Sequence, residues 1–144
     1  MLRLVFAFSA AVAIAVCSPL RAADIAAAKC PVSGEAVSKD ASVDYKGGKL
    51  YFCCKDCAAS FAKDKAKYAA KANLQLVVTG QAVQKGCPLT GNPTNASTAI
   101  DVGGAKVAFC CNGCKGKVTK MKPSQQIKAI FADEAFDKNF EIKK

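Results

Sequence analysis

The sequence predicts an α+β fold made of two tandem small modules, each a β-hairpin followed by a helix. The first observation is a cysteine pattern that occurs twice, with each cysteine of the first copy 57 residues before its counterpart. The second is a pair of short extended runs around a Gly-Gly turn, which precedes each cysteine cluster. The third is an Ala- and Lys-rich segment after the first cluster, which favours a helix. Because the cysteines keep a fixed register, the repeat indicates a duplicated module.

Eight of the nine cysteines belong to the repeated pattern. In each copy a Cys-Pro pair is followed, after 22 residues counted from the cysteine, by Cys-Cys-x-x-Cys. The first copy contains Cys30, Cys53, Cys54 and Cys57, and the second contains Cys87, Cys110, Cys111 and Cys114. Clustered thiols joined by a distant one are how a small protein encloses a soft metal ion or cross-links itself with disulfides. All eight are therefore candidate metal ligands.

The N-terminal segment is typical of a secretory signal peptide. Arg3 gives a positive start, residues 4–16 form an apolar run, and a small residue follows at the expected cleavage point. This run of 13 residues is too short to span about 30 Å of hydrocarbon, so we expect no stable membrane span. A lipoprotein anchored at Cys17 is the alternative, but Val16 stands where such sites need a small residue. We predict a signal peptide over residues 1–22 and a periplasmic or secreted mature protein.

The rest of the chain divides into a first module at residues 23–80 and a second module, with a C-terminal helix, at residues 81–144. Modules of this size bury little apolar surface and usually need a metal, a disulfide or a partner to fold. Without Arg3 and Arg21 the chain has 19 Lys against 11 acidic residues, a net charge of +8 spread along the sequence. This spread indicates a solvated surface, so we expect no nucleic-acid partner.

Each Cys-Pro pair is expected to open a tight turn, and a hairpin is expected to follow it. The segment CPVSG at residues 30–34 aligns with CPLTG in the second copy, where proline fixes φ and glycine accepts positive φ. Such a turn directs amides toward the cysteine sulfur, as in half of a metal knuckle. The extended runs predict one hairpin over residues 41–45 and 49–53, and another over residues 98–102 and 106–110. Each hairpin delivers a cysteine pair to one end.

Helices are expected after the cysteine clusters. Residues 58–73 favour a helix, and cysteines at its start would lie near free amides and the positive end of the helix dipole, which lowers thiol pKa values. We expect a strand at residues 74–78 and a linker between the copies at residues 79–86. In the second copy, Pro123 and Ser124 are expected to begin a helix over residues 125–136.

The motif YKGGKLYFCCxxC, followed by Phe61, Asp64 and Tyr68, resembles the TRASH and YHS metal-binding modules, which are associated with trafficking, resistance and sensing of heavy metals. Both copies also contain the frame Cys-x22-Cys-x3-Cys. The resemblance implies a small hairpin-plus-helix fold of zinc-ribbon or treble-clef type. As ligands it implies Cys30, Cys53 and Cys57 in the first module, and Cys87, Cys110 and Cys114 in the second.

The chain departs from the family pattern in the arrangement of its thiols. YHS modules usually have Asp-Pro-x-Cys-Gly, whereas here the cysteine occupies the Asp position, and Ser33 or Thr90 stands where the family has cysteine. Cys54 and Cys111 fill a position that the family often leaves without sulfur. These departures indicate that one thiol per module has exchanged roles.

The chemistry of the ligands limits which metal could bind. The chain has no histidine, so imidazole sites are excluded, and sulfur ligands select Zn(II), Cu(I), Hg(II) or Cd(II). Adjacent side chains on a strand point to opposite faces, so Cys53 and Cys54 can share an ion only if the strand ends between them. We expect three or four thiolates per ion and up to one ion per module, with Zn(II) or Cu(I) favoured. The function indicated is an exported carrier, buffer or sensor of soft metal ions, with an envelope metal transporter or another protein as partner.

Two alternatives come from the same thiols. An exported chain with an even number of mature cysteines fits a disulfide-stapled interaction module that holds no metal. A Cys53–Cys54 bond is disfavoured because adjacent Cα atoms are about 3.8 Å apart while disulfides prefer roughly 4.4–6.8 Å, so Cys30 would pair with one of them and Cys57 with the other. The two C-x-x-C motifs would suit a thiol-disulfide oxidoreductase, but they lack a βαβ context. The sequence has no histidine base, serine elbow or phosphate-binding loop, so we expect no enzyme.

Overall fold

A computed structural model of the chain describes residues 25–143. The predicted signal peptide and Cys17 lie outside the described residues, so their assignments stay predictions. No helix within residues 25–143 has both the length and the apolar character needed to cross a membrane.

Both copies contain a two-stranded hairpin followed by a helix. The first copy contains a 3-10 turn (Ile25–Ala27), strands β1 (Ser38–Tyr45) and β2 (Gly48–Phe52), and helices α1 (Lys55–Lys63) and α2 (Lys65–Val78). The second contains β3 (Ala82–Gln84), β4 (Asn95–Val102), β5 (Ala105–Phe109), α3 (Asn112–Thr119), α4 (Pro123–Phe131), α5 (Asp133–Asn139) and β6 (Phe140–Ile142). The predicted α+β class with small antiparallel hairpins is confirmed.

Both predicted hairpins are present, and their turns have the backbone that a two-residue connection requires. β1 pairs antiparallel with β2, and β4 pairs antiparallel with β5. Both central turn residues have positive φ in each hairpin, 51° and 85° at Lys46 and Gly47, and 64° and 90° at Gly103 and Gly104. Such turns match the right-handed twist of the strands. Each hairpin therefore ends with its second strand running directly into a cysteine cluster.

The strand expected at residues 74–78 is wrong, because α2 continues to Val78. Ala69, Ala72 and Leu76 are buried along this helix at spacings of three and four residues, which places them on one face. The helix predicted before it is divided in two at Asp64, whose carboxylate accepts a hydrogen bond from the Lys67 amide at 3.1 Å. This side-chain cap starts a new helix.

Two further expectations about connections are corrected. The segment expected as a linker contains β3, which pairs antiparallel with β6 at the other end of the chain. A short strand forms there because β6 supplies partners for its backbone groups. The helix expected over residues 125–136 is divided into α4 and α5, since Ala132 has ψ 149° and interrupts the helical backbone.

Both copies contribute to one hydrophobic core. Leu50, Phe52 and Phe61 of the first copy are fully buried, as are their counterparts 57 residues later, Val107, Phe109 and Val118. Helix α2 packs against α4. The boundary predicted after residue 80 separates the two copies in the sequence. In the structure, side chains from both sides of that boundary pack in the same core.

Candidate metal centres

Three cysteine sulfurs come together in each copy. The Sγ atoms of Cys30, Cys53 and Cys57, here called the first trithiol group, all lie within 4.8 Å of one another. The same holds for Cys87, Cys110 and Cys114, the second trithiol group. The two members nearest in sequence have Sγ atoms 3.5 Å apart in the first group and 3.6 Å apart in the second. All eight cysteines within residues 25–143 are free thiols.

The first cysteine of each group is held by the predicted turn. The Gly34 amide donates to the Cys30 carbonyl oxygen at 2.8 Å, and Gly34 has φ 82°, a conformation that glycine accepts without strain. In the second copy the Gly91 amide donates to the Cys87 carbonyl oxygen, also at 2.8 Å. Cys30 is 1% exposed and Cys87 is 0% exposed. The turn therefore places the sulfur of Cys30 or Cys87 on the side of the group that faces the protein interior.

The other two cysteines come from the junction between strand and helix. Cys53 follows the end of β2, and Cys57 lies in the first turn of α1. Cys110 and Cys114 occupy the same places after β5 and in α3. Residues four apart at such a junction, one before the helix and one in its first turn, can direct their side chains to the same point.

A hydroxyl group from the turn contacts the second cysteine of each group. Ser33 Oγ lies 3.3 Å from Cys53 Sγ, and Thr90 Oγ1 lies 3.4 Å from Cys110 Sγ. Each hydroxyl also accepts a backbone hydrogen bond, from the Glu35 amide in the first copy and from the Asn92 amide in the second. Ser33 and Thr90, which stand where YHS modules usually have a cysteine, therefore contact the group and orient one of its sulfurs.

A glutamine amide fixes the distance between the turn and the hairpin in the first copy. Gln75 Nε2 donates to the Lys29 and Tyr51 carbonyl oxygens at 2.9 and 2.8 Å, and Gln75 Oε1 accepts from the Tyr51 amide at 2.7 Å. Lys29 precedes Cys30, and Tyr51 precedes Cys53 by two residues. Gln75 is 2% exposed, so these bonds are shielded from water. It acts as a spacer between two parts of the trithiol group.

A different glutamine does the same in the second copy. Gln84 Nε2 donates to the Gly86 and Ala108 carbonyl oxygens at 2.8 and 2.6 Å, and its Oε1 accepts from the Ala108 amide at 2.9 Å. Gly86 and Ala108 correspond to Lys29 and Tyr51 at the 57-residue interval. The glutamines do not correspond, since Gln75 belongs to α2 after its cluster and Gln84 to β3 before it. Sequence comparison of the copies could not find either one.

The fourth cysteine of each pattern stands outside the trithiol group. Cys54 and Cys111 are exposed and are the N-caps of α1 and α3, with extended backbone at φ −155° and −156°. Their Sγ atoms lie 3.8 Å from those of Cys53 and Cys110. The structure therefore places the three ligands implied by the family resemblance in one group, with the remaining thiol beside it on the solvent side.

Hydrogen bonds favour the thiolate form of the first cysteine in each group. Burial raises the pKa of the Cys30 thiol, but hydrogen bonds from the Ser33 side chain and from backbone amides outweigh it and lower the pKa to about 6. In the second copy burial also opposes ionisation, yet hydrogen bonds from Thr90 and nearby amides lower the pKa of Cys87 to about 7. In both groups the first cysteine therefore ionises at a lower pH than a free thiol does.

The third cysteine of each group has the opposite behaviour. The hydrogen bond with the Cys53 side chain, burial, and the neighbouring sulfurs raise the pKa of Cys57 to about 12. The equivalent contacts with Cys110 and burial raise the pKa of Cys114 to about 12. The expected lowering at the helix start is therefore wrong for these two residues, because their thiols lie against other sulfurs.

The expected lowering does hold for the exposed thiols at the helix starts. The backbone amide of Cys57 lowers the pKa of Cys54, and the backbone amide of Cys114 lowers the pKa of Cys111. In each copy, a buried thiol with a lowered pKa, a thiol with a raised pKa and an exposed thiol with a lowered pKa lie side by side. This mixture suits a site where a cation would replace the shared protons.

The sulfur spacings fit a soft cation. An ion with bonds of about 2.3 Å to tetrahedrally arranged thiolates spaces the sulfurs roughly 3.8 Å apart. One pair of sulfurs in each group is separated by 3.5 or 3.6 Å, and all three lie within 4.8 Å, so small side-chain shifts would bring them to ligand distance. Each group consists of sulfur atoms alone, which selects thiophilic ions over Mg²⁺ or Ca²⁺.

Comparison of the chain with family models, with curated proteins and with solved structures returns no match.

Proposed function

We propose that the chain binds soft heavy-metal ions, one at each trithiol group, as a carrier, buffer or sensor. The observation that carries the proposal is the convergence of three Sγ atoms within 4.8 Å in both copies. The two copies have different surroundings, yet each forms a cluster of three sulfurs with the same arrangement. Such repetition is expected when the clustered thiols are what the duplicated module provides.

The number of ligands supports Cu(I), Hg(II) or Zn(II) as cargo. Two or three thiolates suit Cu(I) and mercury, and Zn(II) would need a fourth ligand, from water or from the adjacent exposed cysteine. A group of three sulfurs leaves one coordination position of a tetrahedral ion free. An open position favours the exchange of ions over purely structural binding.

The proposal includes the family and the compartment. The duplicated motif supports a pair of TRASH/YHS-type modules, and the basic, then apolar N-terminal segment supports export to the envelope. A metal transporter of the envelope would then be a suitable partner. Thiols in an exported protein meet an oxidising environment, so a bound ion would also protect the sulfurs from oxidation.

The direct test is a titration of the reduced mature chain with Cu(I) and with Zn(II) against a chromophoric chelator of known affinity. The proposal predicts two ions per chain. Cys30→Ser and Cys87→Ser should each lower this to one, and each variant controls the other because it leaves the second copy unchanged. A stoichiometry that is equal in the wild type and both variants would contradict binding at these groups.

The disulfide-stapled module is the second candidate, and one distance favours it. Cys53 Sγ and Cys57 Sγ are 3.5 Å apart, against about 2.0 Å in a disulfide, so oxidation would need a small movement. This pairing differs from the one expected from the sequence, in which Cys30 takes part. Peptide mapping of the exported protein under non-reducing conditions distinguishes the two functions, because ion-bound thiols would alkylate once a chelator removes the ion.

A further inference from the structure

One exposed thiol stands beside each trithiol group. Cys54 is exposed, and its Sγ lies 3.8 Å from Cys53 Sγ. Cys111 has the same exposure and the same distance to Cys110 Sγ, 3.8 Å. The backbone is also the same, with φ and ψ of −155° and 169° at Cys54, and −156° and 168° at Cys111. The duplication has therefore kept this thiol in one position.

These thiols differ from the grouped ones in their access to solvent. The first cysteine of each group is at most 1% exposed, so an ion in the group is closed off on that side. Cys54 and Cys111 directly follow the second cysteine of their groups. Because the backbone there is extended, the two adjacent side chains point in different directions. The exposed thiol thus touches the group at one edge and faces solvent with the rest of its surface.

We infer that Cys54 and Cys111 are exchange thiols, through which a soft ion passes between the trithiol group and an external thiolate donor. This inference rests on the proposed function and assigns the partner by its chemistry: a protein or small molecule that presents accessible thiolates. A donor cannot reach the buried side of the group, whereas it can share an ion with the exposed sulfur. The ion then remains bound to sulfur at every stage.

The exchange is a substitution of ligands with no change of oxidation state. On entry, the exposed thiol loses its proton to water and forms a bond to the ion, and one bond from the ion to the donor breaks. The departing donor thiolate takes up a proton or stays ionised. A thiolate of the trithiol group then replaces the remaining donor ligands, and release follows the same steps in reverse. Successive replacement avoids a free ion in solution.

The experiment separates the rate of transfer from the affinity. The reduced full-length mature chain, loaded with Cu(I), is mixed with excess glutathione as thiolate acceptor, and transfer is followed by stopped-flow; affinity is measured separately by competition with bicinchoninate. The variant is Cys54→Ser with Cys111→Ser. The matched control replaces the next exposed residues of the same helices, Lys55→Gln with Asn112→Ser. Circular dichroism of each variant checks that the fold is kept.

We expect the Cys54→Ser and Cys111→Ser variant to keep two Cu(I) per chain with unchanged affinity, and to transfer the ion at least about tenfold more slowly than the control. An unchanged transfer rate would overturn the inference, since exchange would then not need the exposed sulfur. A loss of affinity equal to the loss of rate would also overturn it, and would make these cysteines permanent ligands. A wild-type chain that binds no Cu(I) would instead overturn the proposed function itself.

Discussion

The side-chain amide of Gln75 donates to the carbonyl oxygen of Lys29 at 2.9 Å, across 46 residues of sequence. The same amide group bonds both backbone groups of Tyr51. Because Lys29 and Tyr51 lie next to the elements that carry Cys30 and Cys53, one buried side chain fixes how far apart two sulfurs stand. The geometry of the first trithiol group thus depends on a residue of α2 that contacts no sulfur.

Replacing Gln75 should therefore disturb both the fold and the first site. Gln75→Leu removes three hydrogen bonds and leaves backbone groups without partners, which should lower the free energy of unfolding by about 2–3 kcal/mol. Metal affinity at the first trithiol group should fall, while the second group should keep its affinity. Urea unfolding and chelator competition measure the two effects.

The matched control for this variant is Gln84→Leu, which removes the equivalent bonds in the second copy. It should reverse the pattern, with affinity lost at the second group and kept at the first. If both variants weakened both sites equally, the glutamines would act on overall stability and not as spacers.

The stability of the metal-free, reduced protein should depend on pH through the thiols. The pKa of Cys30 falls from 9.0 to about 6 on folding, so between these values the unfolded chain binds the extra proton and stability rises with pH. Cys57, whose pKa rises from 9.0 to about 12, has the opposite effect above pH 9.0, where the folded protein binds the extra proton. Stability should therefore be greatest near pH 9.0, between the two ranges.

Urea unfolding in the presence of a chelator and a reductant, over a series of pH values, measures this profile. The variant Cys30→Ser should lose much of the rise below pH 9.0. A wild-type profile that is flat across this range would show that the thiols titrate alike in the folded and unfolded chains.

An ion pair between the two copies should contribute to stability. Asp133 Oδ1 lies 3.0 Å from Lys46 Nζ and accepts hydrogen bonds from Tyr45 and Asn73 at 3.2 and 2.9 Å. Asp133→Ala should lower the free energy of unfolding by about 1–3 kcal/mol, since it leaves several donors without this acceptor. Asp137 also pairs with Lys46 but is more exposed, so Asp137→Ala should cost less than about 1 kcal/mol.

Thermal or urea unfolding of these two variants, compared with the wild type, tests the ranking. Equal losses for Asp133→Ala and Asp137→Ala would contradict a special role of the Asp133 network. Because the network joins the β1–β2 turn to α5, its loss should also reduce the cooperativity between the copies.

The C-terminal segment should support the second trithiol group from a distance. The Asn139 carbonyl oxygen accepts hydrogen bonds from the Lys85 and Gly86 amides at 2.7 and 3.3 Å, immediately before Cys87. The next residue, Phe140, is 3% exposed and stacks on Phe136 at 5.2 Å between ring centroids. Phe140→Ala should destabilise the protein by about 3–5 kcal/mol. It should weaken the second site more than the first, and two-site chelator competition measures that difference; equal effects would oppose this connection.

The sequence predicted the parts of the fold that depend on local chemistry. Short extended runs around a Gly-Gly turn predicted both hairpins, because these signals act over a few residues. The strand expected at residues 74–78 was wrong because its aliphatic residues also fit a helix end, and in the structure they continue the buried face of α2. The pairing of β3 with β6 could not be predicted from the sequence, because it joins residues far apart in the chain that share no motif.

The candidate site shows the same limit. The repeated spacing identified the cysteines, but it did not separate Cys54 from Cys53, since that depends on where β2 ends and on the backbone between strand and helix. The spacer glutamines left no signal, because the 57-residue interval aligns Gln75 with Ala132 and Gln84 with Ala27. In the two copies, glutamines from different elements, α2 and β3, therefore make equivalent hydrogen bonds.

Metal binding is tested most directly by the intact native mass of the protein, purified without chelator from the cells that produce it. We expect a mass raised by two soft metal ions, with thiols that alkylate only after the ions are removed. A metal-free mass, lowered by the hydrogens lost in four disulfides from the eight free cysteines, would contradict it. The chain would then be a disulfide-stapled module, with its thiols serving structure alone.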